Sequence, residues 1–383
     1  MTSRMEMVQS PIISVIADLI AQNPGTISLG QGVVDYPPPP ESFKAIKGFF
    51  NNSRNHKYQP VIGIPRLIEA IEHKLAEENQ ITINNNNAIV VTAGSNMGFT
   101  NAVFAITQPG DEIILNTPYY FNHEMAIRIA SCQPVLVATD KNYQLQIAEI
   151  EGSITSKTKA IVTISPNNPT GTVYSRETLQ QVNQICRDRG IYHISDEAYE
   201  YFTYDGVTHV SPAAFPDSSD YTISLFSFSK AYGFASWRIG YMVIPQHLLM
   251  AIKKIQDTNL ICPPVISQYA ALGALTAGYD YCYKYLQEIA KVRNIVFDRL
   301  QTLSDIAVIN YPQGAFYCLL KLETSLSDLI VAKQLIERER VAVIPGSTFG
   351  LEGGCYFRVA YGALAVDTAT LGVERLVEGI RRL

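Results

Sequence analysis

The sequence predicts an α/β protein of two lobes, and three observations carry that prediction. Runs of β-branched and aromatic residues alternate with helical runs from residue 88 to residue 245, the pattern of a mostly parallel mixed sheet lying between helices. Both ends of the chain instead mix helices with scattered strands, which suits a smaller α+β lobe. At 383 residues the chain also exceeds the usual size of one domain. The expected division is a large lobe of residues 42–283 and a small lobe assembled from residues 1–41 and 284–383.

Composition narrows the function class. An apolar share of 47% and a charged share of 17% describe an ordinary globular protein with a large core. A net charge of −5 and the lack of a basic cluster argue against nucleic acid as a partner. No apolar run reaches membrane-spanning length, so no membrane partner is expected. Cys132, Cys186, Cys262, Cys282, Cys318 and Cys355 lie scattered without a Cys-x-x-Cys pair. They read as small core hydrophobes in a reducing, cytoplasmic compartment, with no metal site.

Taken in order, the stretch from Pro11 to Ala21 is apolar, with Ile12, Val15, Ile16, Leu19 and Ile20 on one helical face and Ser14 and Asp18 off it. Asn23, Pro24 and Gly25 end that helix without a small-residue cleavage signal, so it reads as an arm of the fold and not a targeting segment. Pro37 to Pro40 read as a linker. Tyr58 to Leu67 leads into an amphipathic helix that reaches Leu75. A buried strand from Ala88 then runs through Gly94, Ser95 and Asn96 into a helix over Met97–Ile106. A strand, a small-residue turn and a helix N-terminus make a phosphate cradle, because unpaired backbone N–H groups converge there. Neither GxGxxG nor a P-loop lysine accompanies it, which argues against a dinucleotide or a nucleoside triphosphate.

Strands follow at Asp111–Asn116, Gln133–Ala138 and Ala160–Ser165, then a helix over Arg176–Arg189. The next strand carries His193, which reads as structural, and ends in Asp196, a carboxylate that is costly to bury without a partner. The strand from Tyr221 runs into Lys230, and another strand occupies Gly240–Ile244. An exposed lysine in a strand-end turn is one reading. The other is a buried amine whose pKa is depressed, making it a nucleophile for carbonyl groups. Ser227 and Arg238 flank it, and the three together suit a cofactor carrying both an aldehyde and a phosphate. Helices are expected at His247–Gln256, Val265–Leu275 and Tyr281–Leu303, the last holding the lobe boundary. Strands occupy the stretches from Ala307 and from Val341, with a helix over Leu326–Arg338 between them. Arg358, inside an apolar strand, needs an anionic partner: a structural carboxylate, or a substrate carboxylate held by two parallel bonds. A helix over Thr368–Arg382 closes the chain.

Several of these stretches resemble signatures of the class I/II aminotransferases, fold-type I enzymes dependent on pyridoxal 5′-phosphate (PLP). Residues 227–241, SFSKAYGFASWRIGY, follow the family's Ser-x-Ser-Lys and Gly-Trp-Arg-x-Gly pattern, with Ser236 where a second glycine is usual. Pro166, Asn167, Asn168, Pro169, Thr170 and Gly171 resemble Asn-Pro-x-Asn-Pro-Thr-Gly, with Ser165 replacing the first asparagine. Pro345, Gly346, Phe349 and Gly350 match Pro-Gly-x-x-Phe-Gly in full. Gly32, Asp35 and Tyr36 match a Gly-x-Pro-Asp-Phe element in which Val34 replaces the proline, and Tyr58, Gly63 and Leu67 match a further element.

The resemblance implies transfer of an amino group from an L-amino acid to a 2-oxo acid in ping-pong order. Lys230 would hold PLP covalently and then act as general base, while Asp196 would keep the pyridine nitrogen protonated. Asn168 and Tyr199 would bond the phenolic oxygen, and Tyr120 would stack on the ring. Gly94, Ser95, Asn96, Ser227 and Arg238 would surround the phosphate. Arg358 would take the substrate α-carboxylate beside Gly32 and Asn168. Tyr58 would reach the phosphate of a neighbouring subunit, so a homodimer is expected. Carbon–sulfur β-lyases dependent on PLP share these motifs and remain an alternative. A PLP-sensing transcriptional regulator would carry a DNA-binding domain ahead of Gly32, where there is little room. Dicarboxylate specialists need a second cation, yet Gly94, Ser95 and Asn96 stand where one subgroup has a lysine, and Gln256 to Leu275 contains neither arginine nor lysine. The expected donor is therefore a neutral, aromatic or large apolar amino acid. Aspartate would need Arg54, Lys57 or Arg66 to enter from the neighbouring subunit.

Overall fold

The computed structural model describes residues 3–383. Its strands are β1 Ile27–Ser28, β2 Asn87–Thr92, β3 Glu112–Thr117, β4 Gln133–Ala138, β5 Thr158–Ile164, β6 Tyr192–Asp196, β7 Thr222–Ser227, β8 Gly240–Pro245, β9 Ala307–Ile309, β10 Tyr317–Leu322, β11 Val341–Ala342, β12 Ile344–Pro345 and β13 Cys355–Ala360. Its helices are α1 Ile12–Gln22, α2 Pro40–Phe50, α3 Pro65–Glu78, α4 Ser95–Ile106, α5 Phe121–Ile129, α6 Ile147–Gly152, α7 Arg176–Arg189, α8 Phe228–Ala231, α9 Leu249–Asn259, α10 Val265–Gln301, α11 Asp328–Gln334 and α12 Val366–Arg381.

Seven strands form one sheet in the order β2-β8-β7-β6-β5-β3-β4. All neighbours are parallel except at β8, which runs antiparallel to both β2 and β7. Helices cover both faces, so Ile161, Val162, Ile194, Ile223 and Leu225 are all buried and their strands read as unbroken apolar runs. The α/β class with a mostly parallel mixed sheet is thus the observed one. Polar residues gather at the carboxyl ends of β6 and β7, where Asp196 and Ser227 are the last strand residues. That edge is where an open α/β sheet leaves a crevice for ligands.

A separate antiparallel sheet, β12-β13-β10-β9, presents Arg358 opposite Leu319 on β10 and Ile344 on β12. The N-terminal arm joins the C-terminal segment through the parallel pair β1–β11, with Ile27 opposite Val341. Helix α1 forms where expected, but its apolar face divides. Ile16 is buried in a cluster with Phe121, Ile336, Ala342, Ile344 and Phe349, whereas Val15 is exposed.

The elements depart from expectation in identifiable ways. The proline stretch is not wholly a linker, because Pro40 opens α2. A proline in the first helical position gives up only an N–H that would have no intrahelical partner. Helix α5 was not foreseen, since buried His123 and Glu124 interrupt its apolar pattern. The two helical stretches after Val265 join into α10, which kinks at Gly278 (φ 65°). The stretch from Ala307 splits into antiparallel β9 and β10, and α11 ends in a π turn over Leu335–Glu339. No helix among the described residues is long and apolar enough to cross a membrane.

Candidate active site

Ser227, at the end of β7, caps the single turn of α8 by accepting a hydrogen bond from the Ser229 amide at 3.1 Å. That turn presents Lys230 to the crevice. The Lys230 Nζ donates to the Gly32 carbonyl, and the Tyr36 hydroxyl lies 3.0 and 3.1 Å from the carbonyl oxygens of Lys230 and Ala231. One short segment therefore braces both the side chain and the backbone of the lysine. Burial, followed by Arg358 and Arg238, pulls the Lys230 pKa down to about 8, against an opposing pull from Asp196. The reading of an exposed surface lysine is excluded.

Asp196 is 4% exposed. Its Oδ2 stands 3.0 Å from the His123 Nε2, and its Oδ1 accepts from the Ala198 amide at 3.1 Å. His123 stacks on Phe99 with ring centroids 3.9 Å apart and meets Tyr120 edge-on at 5.2 Å. Tyr120 in turn accepts from Asn122 Nδ2 at 2.8 Å. Sequence reasoning passed over His123. It sits three residues beyond Tyr120, one helical turn along the same face, a signal that becomes readable once α5 is recognised.

The turn between β2 and α4 holds Gly94, Ser95 and Asn96 at the N-terminus of a twelve-residue helix. Gly94 has φ 81°, and a Cβ there would collide with the Arg238 guanidinium. Arg238 itself adopts φ 50° and ψ 63°, a conformation that a non-glycine residue holds only when its surroundings impose it. Its Nη1 donates to the Ala235 carbonyl at 2.8 Å and approaches the Ser229 Oγ at 3.4 Å. Backbone N–H groups, a helix dipole and a guanidinium thus converge on one spot.

Arg358 is 2% exposed. No carboxylate among the described residues forms an ion pair with it. Its Nη1 donates to Asn168 Oδ1 at 2.9 Å and its Nη2 to the Gly30 carbonyl at 2.7 Å, while Nε has no partner among the described residues. The structural ion pair is therefore not what this strand provides. A guanidinium so deeply buried without a countercharge is costly, and an incoming anion offsets that cost. Asn168 Nδ2 reaches the Tyr199 hydroxyl at 3.4 Å, and that hydroxyl lies 2.7 Å from the hydroxyl of Tyr317, a residue not foreseen from sequence. Burial raises the Tyr199 pKa well above its usual value and pushes Tyr317 up to about 12, so both phenols keep their protons at neutral pH.

These groups line two adjoining spaces. The inner pocket is bounded by Ser95, Asn96, Tyr120, Asn168, Asp196, Tyr199, Ser227, Lys230 and Arg238, with Gly94 against Arg238. The outer cavity, of about 560 Å³, shares Tyr120, Asn168, Tyr199 and Lys230 and adds Gly32, Tyr317, Arg358 and the α1 residues Ile13, Ile16, Ala17 and Ile20. Tyr58 alone among the expected site residues stands apart, 79% exposed. His193 is buried between Thr163 Oγ1 (2.8 Å) and Asn183 Nδ2 (3.1 Å), and burial drops its pKa to about 3, which suits a structural role. The inner pocket fits a phosphorylated aromatic aldehyde: a reactive amine, a phosphate cradle, a carboxylate for a ring nitrogen and an aromatic face meet in one space.

Comparison with known proteins agrees. A family model described as aminotransferase class I and II matches residues 24–376. An Aquifex aeolicus protein named "probable aspartate/prephenate aminotransferase" is 35% identical over 98% of this chain and 95% of its own length. Aromatic aminotransferase ISS1 of Arabidopsis thaliana is 34% identical, covering 97% of this chain and 94% of its own. A single-mutant aspartate aminotransferase of Thermus thermophilus superposes with a TM-score of 0.90 at 28% identity, over 99% of each chain.

Proposed function

Because the chain belongs to the class I and II aminotransferases, we propose that it moves the amino group of a neutral L-amino acid, aromatic or large and apolar, to a 2-oxo acid. The observation that carries this reading is the outer cavity. Buried Arg358, free of any carboxylate, stands across from the apolar face of α1, and Arg358 and Lys230 are its only cationic lining residues among those described. A donor's α-carboxylate suits the guanidinium and its side chain suits the isoleucine wall. A second, distal carboxylate would be desolvated there without a partner.

When bound, PLP supplies an electron sink for the charge left at the substrate Cα and carries the amino group between half-reactions. The remaining work falls to this chain. Ser95, Asn96, Ser227 and Arg238 would hold the phosphate at the N-terminus of α4, with Gly94 giving the guanidinium room. Asp196, steadied by His123 and the Ala198 amide, keeps a proton on the ring nitrogen. Tyr120 would cover one ring face, and Asn168 and Tyr199 would donate to the phenolic oxygen. Arg358 orients the substrate so that its Cα faces Lys230 Nζ, which removes the proton as general base in its neutral form. Helix α1 supplies the apolar wall of the cavity. The keto product of the donor leaves before the acceptor enters, a ping-pong order.

The same reading places the lobe boundaries at residues 41/42 and 283/284 and the working unit in a homodimer, with Tyr58 reaching the phosphate of the neighbouring subunit. The six cysteines, all free and five of them buried, support a reducing, cytoplasmic setting. A second reading, aspartate as donor, is favoured by the names of the Aquifex and Thermus relatives. The deciding experiment measures kcat/KM for phenylalanine, methionine, leucine and aspartate with a common acceptor. Neutral donors are expected to lead by tenfold or more, about 1.4 kcal/mol of transition-state binding. Aspartate in the lead would mean that a cation such as Arg54, Lys57 or Arg66 enters from the partner. Pyruvate and ammonia released from cystathionine without an acceptor would point to β-elimination instead.

A further inference from the structure

We propose that Tyr317 is a positioning residue that acts through Tyr199, aligning the Tyr199 proton onto the phenolic oxygen of the bound cofactor; this rests on the PLP reading above. Tyr317 is the first residue of β10 and fully buried, and its hydroxyl lies 2.7 Å from that of Tyr199. Within the pair either oxygen could donate. Their neighbours decide which one does.

The Tyr199 oxygen also faces a donor, Asn168 Nδ2 at 3.4 Å, whereas the Tyr317 hydroxyl makes no second hydrogen bond among the described residues. If Tyr199 donated to Tyr317, the Tyr317 proton would have no acceptor among the described residues and Tyr199 would have no proton left for a ligand. If Tyr317 donates, its only proton is paired. The Tyr199 proton is then free for the inner pocket, which Tyr199 lines together with Asp196 and Lys230. Once an acceptor oxygen sits there, the second arrangement satisfies every proton and the first does not. Hydrogen bonds in series polarise one another, so accepting from Tyr317 makes Tyr199 a stronger donor.

The ring of Tyr317 does something separate. The Arg358 guanidinium carbon lies 4.5 Å from its centroid, a cation–π contact that needs no hydroxyl. Ring and hydroxyl therefore serve different parts of the site, the carboxylate anchor and the cofactor oxygen, and a single substitution separates them.

Tyr317→Phe keeps the ring and removes the hydroxyl. The visible absorption of the purified holoenzyme reports, by its pH midpoint, the proton shared between Lys230 Nζ and the phenolic oxygen. A donor onto that oxygen favours the form from which the shared proton has left, so weakening the donor moves the midpoint up. In Tyr317→Phe the midpoint is expected to rise by roughly half a pH unit or more. KM for the amino acid is expected to change by less than about twofold, because the ring still lies under Arg358. In a Tyr199→Phe background, adding Tyr317→Phe is expected to move the midpoint no further, since the proton it aligned is gone. A midpoint unmoved in the single variant, or moved equally in both backgrounds, overturns the proposal. So does a lowered Tm with an unmoved midpoint, which would make the hydroxyl merely structural. A wild-type protein that binds no PLP would instead overturn the underlying reading, and the proposal with it.

Discussion

Lys230 is reactive because its surroundings disfavour charge. Burial is the main cause and the guanidinium groups of Arg358 and Arg238 add to it, bringing the pKa from 10.5 to about 8. At pH 7 about a tenth of the amine is then neutral, and nearly all of it is neutral above pH 9. Capture of PLP by the apoenzyme, trapped with borohydride and read by mass, is expected to accelerate through pH 8 and then level off. Lys230→Ala is expected to trap none, and a flat rate from pH 6 to pH 10 would contradict the assignment. The same shift has a stability consequence. Between about pH 8 and 10.5 the unfolded chain holds a proton that the folded chain has lost, so the apoenzyme gains stability as pH rises across that window. The lysine was legible in the sequence because an ammonium at the end of a buried strand demands an explanation. His123 was not, because only its 3.0 Å approach to Asp196 sets it apart from other buried histidines.

At the scale of elements, the β2–turn–α4 unit shows how backbone geometry makes a binding site. Gly94 combines a positive φ with close contact to Arg238, so Gly94→Ala adds about 1 kcal/mol of backbone strain and displaces the guanidinium as well. PLP affinity is expected to fall at least tenfold by equilibrium titration, with Tm lower by only a few degrees. Unchanged affinity would mean that the turn is not the phosphate cradle. Strand–turn–helix order marked this unit in the sequence, since the small residues interrupt a strongly β-forming run. Helix α5 left no such mark. Its buried faces carry His123 and Glu124, whose partners Asp196 and Arg128 make burial tolerable only in the folded chain. Helix α1 lay between these cases. Its periodicity announced a helix with one apolar face, yet Ile16 and Ile20 of that face line the outer cavity as well as packing in the core.

At the scale of the whole molecule, three aromatic side chains between the start of α2 and the approach to α3 are exposed. Phe43, Phe50 and Tyr58 are exposed at 49%, 61% and 79%. Next to them a groove of about 770 Å³ runs between α2, α3 and α10, past Glu41, Arg66, His73 and Tyr269. Exposed aromatic residues rimmed by charge mark an interaction face. If that face joins two copies and Tyr58 completes the partner's site, damage to Lys230 and damage to Tyr58 fall on different sites of a mixed dimer. Mixing Lys230→Ala with Tyr58→Phe subunits is then expected to restore about a quarter of wild-type activity, because half the dimers carry one intact site. Activity equal to the mean of the two parents, or a fully active monomer in sedimentation, would contradict shared sites.

By itself the sequence determined the layered α/β fold and, through its resemblance to a family, a PLP-dependent chemistry with transamination and β-elimination both open. Both are written locally: strands buried on two faces as unbroken apolar runs, and reactive residues at set distances from strand ends and turns, as with Asp196 at the end of β6 and Lys230 just past β7. Only the tertiary structure decided what those residues touch. Arg358 bonds Asn168, 190 positions away, and Gly30, 328 positions away, so its lack of a carboxylate partner among the described residues is a property of packing that no local pattern records. The Tyr199–Tyr317 pair spans 118 positions for the same reason. Periodicity reports which face of an element is buried, whereas the partner on that face is chosen by how sheets and helices stack.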